Sequence, residues 1–275
     1  MVRVTSSVMS TYELILMGGG RMGEALLGGM VRSGLNPVDV LVVEPVADRR
    51  TELVAAFAGL AVAEALALDD HGGGAIIAVK PQHVEAAARA VGPVVPRVLS
   101  IAAGVTIANL QTWLGTEVSV VRSMPNTPAL VGAGASGLAG SATATADDIA
   151  WAEHILESVG VVATVSESLL DAITGLSGSG PAYVFLVAEA LIEAGVLVGL
   201  PRHTASLLAR QTILGAGRLM SESGDLPEVL RANVTSPGGT TAAGLRALEK
   251  HGVRAAFMDA VVAATTRAQE LGQPG

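Results

Sequence analysis

The chain contains no cysteine, which excludes disulfides, a cysteine nucleophile and any thiolate metal site, so its chemistry proceeds without sulfur redox. Aromatic residues make up only 3% of it, and with half of the residues apolar the core is left to Ala, Val, Leu and Ile. Basic clusters are also missing, and the formal charge is −8. That balance argues against nucleic acid or an anionic membrane as a partner. Lysine is confined to Lys80 and Lys250. The histidines, His71, His83, His154, His203 and His251, lack the i,i+4 spacing of paired ligands, so no metal is expected. The segment Met1–Thr11 has one Arg and no long apolar stretch, which makes it a poor signal peptide and, over residues 1–11, a short disordered lead-in. Pro181–Leu200 comes nearest to a membrane span, but Glu189 and Glu193 interrupt it on one helix face. A buried helix with one wet or paired stripe accounts for it better. A soluble cytoplasmic protein is expected.

What is present is a periodic alternation. Apolar runs at Glu13–Met17, Val40–Val43, Ala75–Val79, Val98–Ile101 and Val118–Val121 alternate with helical patterns such as Met22–Ser33 and His83–Ala90. Short strands alternating with helices indicate a parallel sheet wound on both faces. Its strand ends Gly18, Glu44, Lys80 and Ala102 should line the edge where ligands bind. From about Glu167 the pattern becomes helical throughout: Ser168–Thr174, Pro181–Val198, Arg202–Ser221, Thr241–His251 and Arg254–Glu270. The chain is therefore read as α/β, with a doubly wound, mostly parallel Rossmann-type domain over 12–166 and an all-α domain over 167–275. Several of the later helices are apolar almost all round, more than one small bundle can bury, which predicts packing against a second copy as an intertwined dimer.

Two glycine-rich turns carry the chemistry. Gly18-Gly-Gly20-Arg21-Met22-Gly23 fits the dinucleotide pattern between a strand and a helix. Gly18 permits the tight turn, Gly20 lets the backbone approach a pyrophosphate, and Gly23 allows close helix–strand packing. Glu44 stands where an acid commonly binds a ribose 2′-hydroxyl, which favours NADH. Arg49 and Arg50 follow within a helical turn and suit a 2′-phosphate, unless they are solvated side chains. NADPH and NADH both stay open. In the second turn, Asn233-Val-Thr-Ser236-Pro-Gly238-Gly239-Thr240-Thr241 opens a helix, so free amides, hydroxyls and a positive dipole end converge, an arrangement that captures a small carboxylate. Two further segments are stiff or tightly packed. Ser123-Met-Pro-Asn-Thr-Pro128 is a loop fixed by two prolines, and Leu176-Ser-Gly-Ser-Gly-Pro-Ala182 reads as a small-residue turn between helices.

Ala78-Val79-Lys80-Pro81-Gln82, Arg122–Pro128, Thr174–Tyr183 and Val234–Thr241 occur in the order in which pyrroline-5-carboxylate reductases carry their hallmark segments, and with the N-terminal glycine motif they cover nearly the whole chain. The sequence thus resembles that family. The resemblance implies reduction of 1-pyrroline-5-carboxylate to L-proline by NAD(P)H, the last step of proline biosynthesis. It also implies a helical domain that interlocks in a homodimer, with dimers frequently assembling as a decamer. Carried over motif by motif, Gly18, Gly20, Arg21, Met22, Gly23, Ala78, Val79, Lys80, Pro81, Ala102, Ala103, Gly104 and Asn233 contact the cofactor, beside Glu44 from its place after the second strand. Glu167, Ser236, Gly238, Gly239, Thr240 and Thr241 surround the substrate, with Thr241 as the catalytic group beside the ring nitrogen.

Two other readings compete. A β-hydroxyacid or 6-phosphogluconate-type dehydrogenase shares the domain plan, but by resemblance it needs a lysine on a helix of the second domain. Here only Lys250 qualifies, at a helix end where a cation simply complements the dipole. A non-catalytic NAD(P) sensor needs the first turn and has no use for the second.

Overall fold

The computed structural model describes residues 10–67 and 69–272. The lead-in expected over 1–11 lies mostly outside the described residues, and its last two begin a strand, β1 (Ser10–Tyr12). Then come β2 (Leu14–Met17), α1 (Arg21–Arg32), β3 (Val40–Val43), α2 (Ala47–Ala56), β4 (Ala61–Ala63), β5 (Asp70–Gly72), β6 (Ala75–Ile77), α3 (Val84–Val91), β7 (Arg97–Ser100), α4 (Ile107–Leu114) and β8 (Ser119–Met124). Next follow β9 (Gly134–Gly140), α5 (Ala146–Glu157), β10 (Gly160–Thr164), α6 (Leu170–Ile173), α7 (Gly180–Leu197), α8 (Arg202–Glu222), α9 (Pro227–Asn233), α10 (Thr240–Lys250) and α11 (Val253–Gly272). The described chain forms two compact units, one running through Ser179 and including the segment from Ala263, the other Gly180–Val262. A division near residue 166, expected from the change of pattern, thus stands beside a compact unit that extends to Ser179 and takes back the end of α11.

The first unit holds an eight-stranded sheet in the order β10-β9-β8-β7-β6-β2-β3-β4, with a two-stranded parallel pair, β1 and β5, beside it. All neighbours in the large sheet run parallel except β8 and β9. Every residue of β2 and of β3 is buried, as a sheet covered on both faces requires. Alternate residues divide between two cores: Ile15 and Met17 join α3 and α4, whereas Leu14 and Leu16 join α1, α2 and α5. The chain moves from β2 to β3 on one side and returns to β6 on the other, so the strand order reverses between β2 and β6. A crevice at the carboxyl ends of those two strands is the usual ligand position in such sheets.

Local chemistry sets the helices. In α1 the buried positions Gly23, Leu26, Leu27 and Met30 recur at helical spacing, while Glu24 in the first turn and Arg32 in the last complement the dipole. A capping box between Thr145 and Asp148 starts α5, where the Thr145 side chain accepts from the Asp148 amide and Asp148 returns the bond.

The segment read as a turn at Leu176–Ala182 is helical instead. Residues Glu167–Leu197 form one helical run, with a π-helical stretch at Thr174–Gly178 closed by the Ser179 amide donating to the Thr174 carbonyl, 2.8 Å away. Small residues permit a widened turn instead of a break, because a Cβ on Gly178 would stand 2.8 Å from the Met124 Cε. That run is long and apolar enough to cross a membrane by length and composition.

In the second unit α7 has no buried residue. It packs on α8 through Gly195, where a Cβ would stand 2.9 Å from that of Ala205, and the chain reverses at Gly199, whose φ is +98°. Phe185 (61% exposed), Leu186 (66%) and Leu197 (86%) face outward from α7, and Leu207, Leu214, Met258 and Val262 are likewise exposed.

Candidate functional site

The first glycine turn lies at the carboxyl end of β2. Gly18 has φ +106°, a conformation that favours glycine, and a Cβ there would press within 3.0 Å of the Ala78 carbonyl group. The end of β6 therefore runs directly against the turn. A Cβ on Gly23 would collide with the Gly18 carbonyl oxygen, so α1 packs onto the turn only because position 23 carries no side chain. Gly20 differs from both. It is exposed, and no protein atom lies within 4 Å of where its Cβ would be. Gly20 is also the N-cap of α1, with no side chain accepting from the helix, so the first amides of α1, at Arg21, Met22 and Gly23, have no carbonyl partner inside the helix. Uncapped amides at a positive dipole end, beside a Cβ-free opening, fit a pyrophosphate. The residues present thus fit the dinucleotide that the motif implies.

Gly19 is fixed from both sides. Its amide donates to Glu44 Oε2 at 2.9 Å, and its carbonyl accepts from Arg49 Nε at 2.6 Å. The other Glu44 oxygen accepts from the Val46 amide at 2.9 Å, so this buried carboxylate, expected to meet a ribose, also braces the glycine turn. Arg49 also pairs with Glu24 at 2.5 Å and Glu52 at 2.6 Å. The hydrogen bond to Glu24, then that to Glu52, raises the guanidinium further above its already high range, against a smaller opposing effect of burial. Arg50 donates to the Glu44 and Pro45 carbonyls, each at 2.8 Å, and lies 3.6 Å from Glu64. Both arginines are thus engaged by groups of the turn, α1, α2 and the end of β4.

Ala78, Val79, Lys80 and Pro81 follow β6, and Ala102, Ala103 and Gly104 follow β7. They share the carboxyl edge of the parallel strands with Gly18–Gly23 and Glu44, so the residues expected around the cofactor in this unit converge there. A cavity of about 330 Å³ opens between Pro81 and Gly104, with Asp171 and Thr174 as its polar side chains and Leu271 on its wall. Glu167 stands at the start of the 3-10 turn before α6. One of its oxygens accepts from the Ile107 amide at 2.7 Å and from Arg122 Nη1 at 3.0 Å.

The stiff loop of Ser123–Pro128 is tied into the same unit. Asn126 donates through Nδ2 to the Ser177 carbonyl at 3.0 Å and accepts at Oδ1 from the Ala135 amide at 2.9 Å. It thereby joins the loop to the π-helical stretch and to β9. Two segments that looked separate in sequence are thus one packing device.

In the second unit, Asn233 ends α9 and the second glycine turn opens α10. Gly238 has φ +70°, the Gly239 amide donates to the Ser236 carbonyl at 3.0 Å, and Gly239 is the N-cap of α10 with no side-chain cap. Ser236, Thr240 and Thr241 are exposed. Free amides at a positive helix end, with three exposed hydroxyls on the same short segment, suit a carboxylate. Lys250 is exposed at the last turn of that helix. Among the described residues no cluster of three or more His, Asp or Glu side chains is arranged to hold a metal ion.

Known proteins match this chain over nearly its whole length. Residues 167–271 match the pyrroline-5-carboxylate reductase dimerisation family, and residues 13–104 match the family described as NADP oxidoreductase, coenzyme F420-dependent. Pyrroline-5-carboxylate reductase of Synechocystis is 42% identical over 96% of this chain and 99% of its own length. The enzyme of Corynebacterium melassecola is 41% identical over 96% of this chain and 100% of its own. Among solved structures, a pyrroline-5-carboxylate reductase from Coxiella burnetii superposes with a TM-score of 0.89 at 36% identity, covering 96% of this chain and 100% of that one. The Plasmodium falciparum enzyme with NADP bound gives 0.81 at 31%, covering 97% and 100%. The two glycine turns, each at its uncapped helix, are thus framed by full-length similarity, and the chain belongs to the pyrroline-5-carboxylate reductase family.

Proposed function

We propose that this protein reduces 1-pyrroline-5-carboxylate to L-proline with NADPH or NADH, the closing step of proline biosynthesis. One observation carries the reading: a chain of this family keeps two uncapped, glycine-opened helix starts, one suited to a pyrophosphate and one to a carboxylate. When bound, the nicotinamide supplies a hydride to the imine carbon.

The chain's own residues bind, orient and shield. The amides of Arg21, Met22 and Gly23 hold the pyrophosphate, and Ala78–Pro81 with Ala102–Gly104 border the nicotinamide end, with Asn233 as a further cofactor contact. The amides and hydroxyls of Ser236, Gly238, Gly239, Thr240 and Thr241 hold the substrate carboxylate. A protonated cyclic imine is already a strong electrophile and needs no covalent intermediate, so holding the two reactants in register supplies on the order of several kcal/mol. The Thr241 hydroxyl hydrogen-bonds the ring nitrogen and steadies charge there. A threonine is a poor acid by pKa, so the nitrogen proton comes from water or from an iminium formed before binding.

The working form is a homodimer in the cytoplasm, with assembly of dimers into a decamer as its higher state and no nucleic-acid or membrane partner. The apolar residues exposed on α7, α8 and α11, in a segment matched to a dimerisation family, support the pairing. The test is turnover by the purified protein with pyrroline-5-carboxylate and each reduced cofactor in turn. Saturable oxidation of at least one cofactor is expected, and absence of turnover with both, despite cofactor binding, removes the proposal.

A further inference from the structure

The first unit contains a buried charge to which the reading above gives no role. Arg122 lies on β8 with its side chain only 9% exposed, and a guanidinium so placed is tolerable only when paired. Its Nη1 donates to Glu167 Oε1 at 3.0 Å, and Nη2 lies 3.9 Å from Asp171 Oδ1. Glu167 passes this restraint on. The same Oε1 accepts from the Ile107 amide at 2.7 Å, across 60 positions of sequence.

Ile107 is the first residue of α4, and the helix offers its amide no acceptor. Thr106 caps α4 locally, accepting from the Asn109 amide at 3.2 Å, and Glu167 caps it from a distance. The segment immediately before this doubly held helix start is Ala102–Gly104. The Gly104 end of that segment, two residues before the Thr106 cap, lies against the end of α11, since a Cβ on Gly104 would stand 3.4 Å from the Leu271 carbonyl oxygen.

We propose that Arg122 and Glu167 are positioning residues for the cofactor: Arg122 orients Glu167, and Glu167 pins the start of α4, which fixes the Ala102–Gly104 loop against the nicotinamide end. The inference rests on the reading that this loop borders the nicotinamide. It adds a contact that serves the cofactor loop to Glu167, which was expected around the substrate, and it gives a task to the arginine that precedes the Ser123–Pro128 loop. The shared oxygen makes the pair act as one unit, since a carboxylate freed from Arg122 is free to rotate away from the Ile107 amide.

The test compares binding of the tighter of NADH and NADPH with binding of the ADP-ribose portion of the same cofactor, which lacks the nicotinamide. Glu167→Gln keeps the size of the side chain and an oxygen acceptor but loses the charge that holds Arg122, and calorimetric melting checks that the variant stays folded at the assay temperature. Dissociation constants are read by fluorescence quenching or calorimetry. The whole cofactor should bind the variant more weakly by roughly 3- to 10-fold, the scale by which a hydrogen bond to a carboxylate exceeds one to a neutral amide oxygen, while the fragment binds as it does to the unmodified protein. Arg122→Lys, which keeps a charge in the site without the fork, should show the same selective loss. Equal weakening of cofactor and fragment, or no change in either, overturns the proposal. In turnover, Glu167→Gln should lower kcat and leave the KM for the imine within about 2-fold, whereas a large rise in that KM with unchanged cofactor binding returns Glu167 to the substrate. A protein that turns over no imine yet shows the nicotinamide-selective loss removes the reductase reading and keeps this one.

Discussion

Gly20 and Gly23 belong to one motif, but the structure gives them different tasks, and replacing each by alanine separates the two. At Gly20 the backbone angles, φ −67° and ψ −179°, are open to any residue, and the added methyl group meets no protein atom within 4 Å. Alanine is a poorer N-cap than glycine by about 0.5–1 kcal/mol. It also removes unfolded-state freedom worth about 0.4–1 kcal/mol, so Gly20→Ala should leave Tm almost unchanged. If the pyrophosphate binds where proposed, the same methyl group occupies its approach. Losing an amide bond to a charged phosphate costs about 1.5–3 kcal/mol, which raises the Kd for NAD(P)H roughly 10- to 100-fold. Gly23→Ala drives a Cβ into the Gly18 carbonyl oxygen. Overpacking of that kind costs about 1–3 kcal/mol, of which helix propensity returns roughly 0.5–1. That variant should lose both stability and affinity. Cofactor fluorescence titration and calorimetric melting read the two quantities independently. Unchanged affinity in Gly20→Ala, or a fall in its Tm equal to that of Gly23→Ala, refutes the assignment of Gly20 to the pyrophosphate.

Other outcomes follow from the same geometry. Thr241→Ala removes an exposed hydroxyl and should leave Tm unchanged while lowering kcat about 3- to 30-fold, the range of one hydrogen bond to a partly charged group; kcat and KM both at their original values contradict the role given to Thr241. Glu44→Gln should weaken NADH and NADPH binding alike, because Glu44 holds the Gly19 and Val46 amides; a loss confined to NADH instead assigns its carboxylate to the ribose. Sedimentation at micromolar concentration should give at least a dimer, and Leu186→Glu on the exposed face of α7 should shift it toward monomer; a monomeric original protein contradicts the pairing. Burial alone pushes the Asp148 carboxyl up, but hydrogen bonds from the Thr145 amide and hydroxyl and from Ser119, with the charge of Arg97, outweigh it and hold the group below its ordinary value near 3.8. A depressed carboxylate stabilises the fold above that ordinary value, and the contribution is lost as pH falls through the lower, folded one. Asp148→Asn should therefore cost about 0.5–2 kcal/mol at neutral pH, with the gap closing as the pH is brought below about 4; a gap independent of pH contradicts the capping role.

The parts of this fold that sequence made legible are those governed by local periodicity. Leu14–Met17 and Val40–Val43 are uninterrupted apolar runs and became fully buried strands, and Arg202–Glu222 is a helix where the helical pattern was read. Gly134–Gly140 carries no apolar run that marks a strand, because six of its seven residues are small, and it is held by its antiparallel pairing with β8. The stretch at Leu176–Ala182 was misread for a related reason: glycine and serine signal a turn, yet Met124 and Asn126 hold this segment as a widened helix. At the site, both glycine turns are legible because what marks them is backbone geometry: the positive φ of Gly18 and Gly238 and the uncapped helix starts that follow. The partners of Glu44 and Glu167 could not, since a carboxylate looks the same in sequence whether it faces ribose, imine or an amide 60 residues away.

In the proposed reaction a hydride passes from the cofactor to the imine carbon of pyrroline-5-carboxylate. Turnover with NAD(P)H fully deuterated at the nicotinamide C4, followed by mass spectrometry and NMR of the product, tests it most directly. Proline carrying deuterium at C5 and at no other carbon is expected. Turnover that yields unlabelled proline, or label at another carbon, contradicts it.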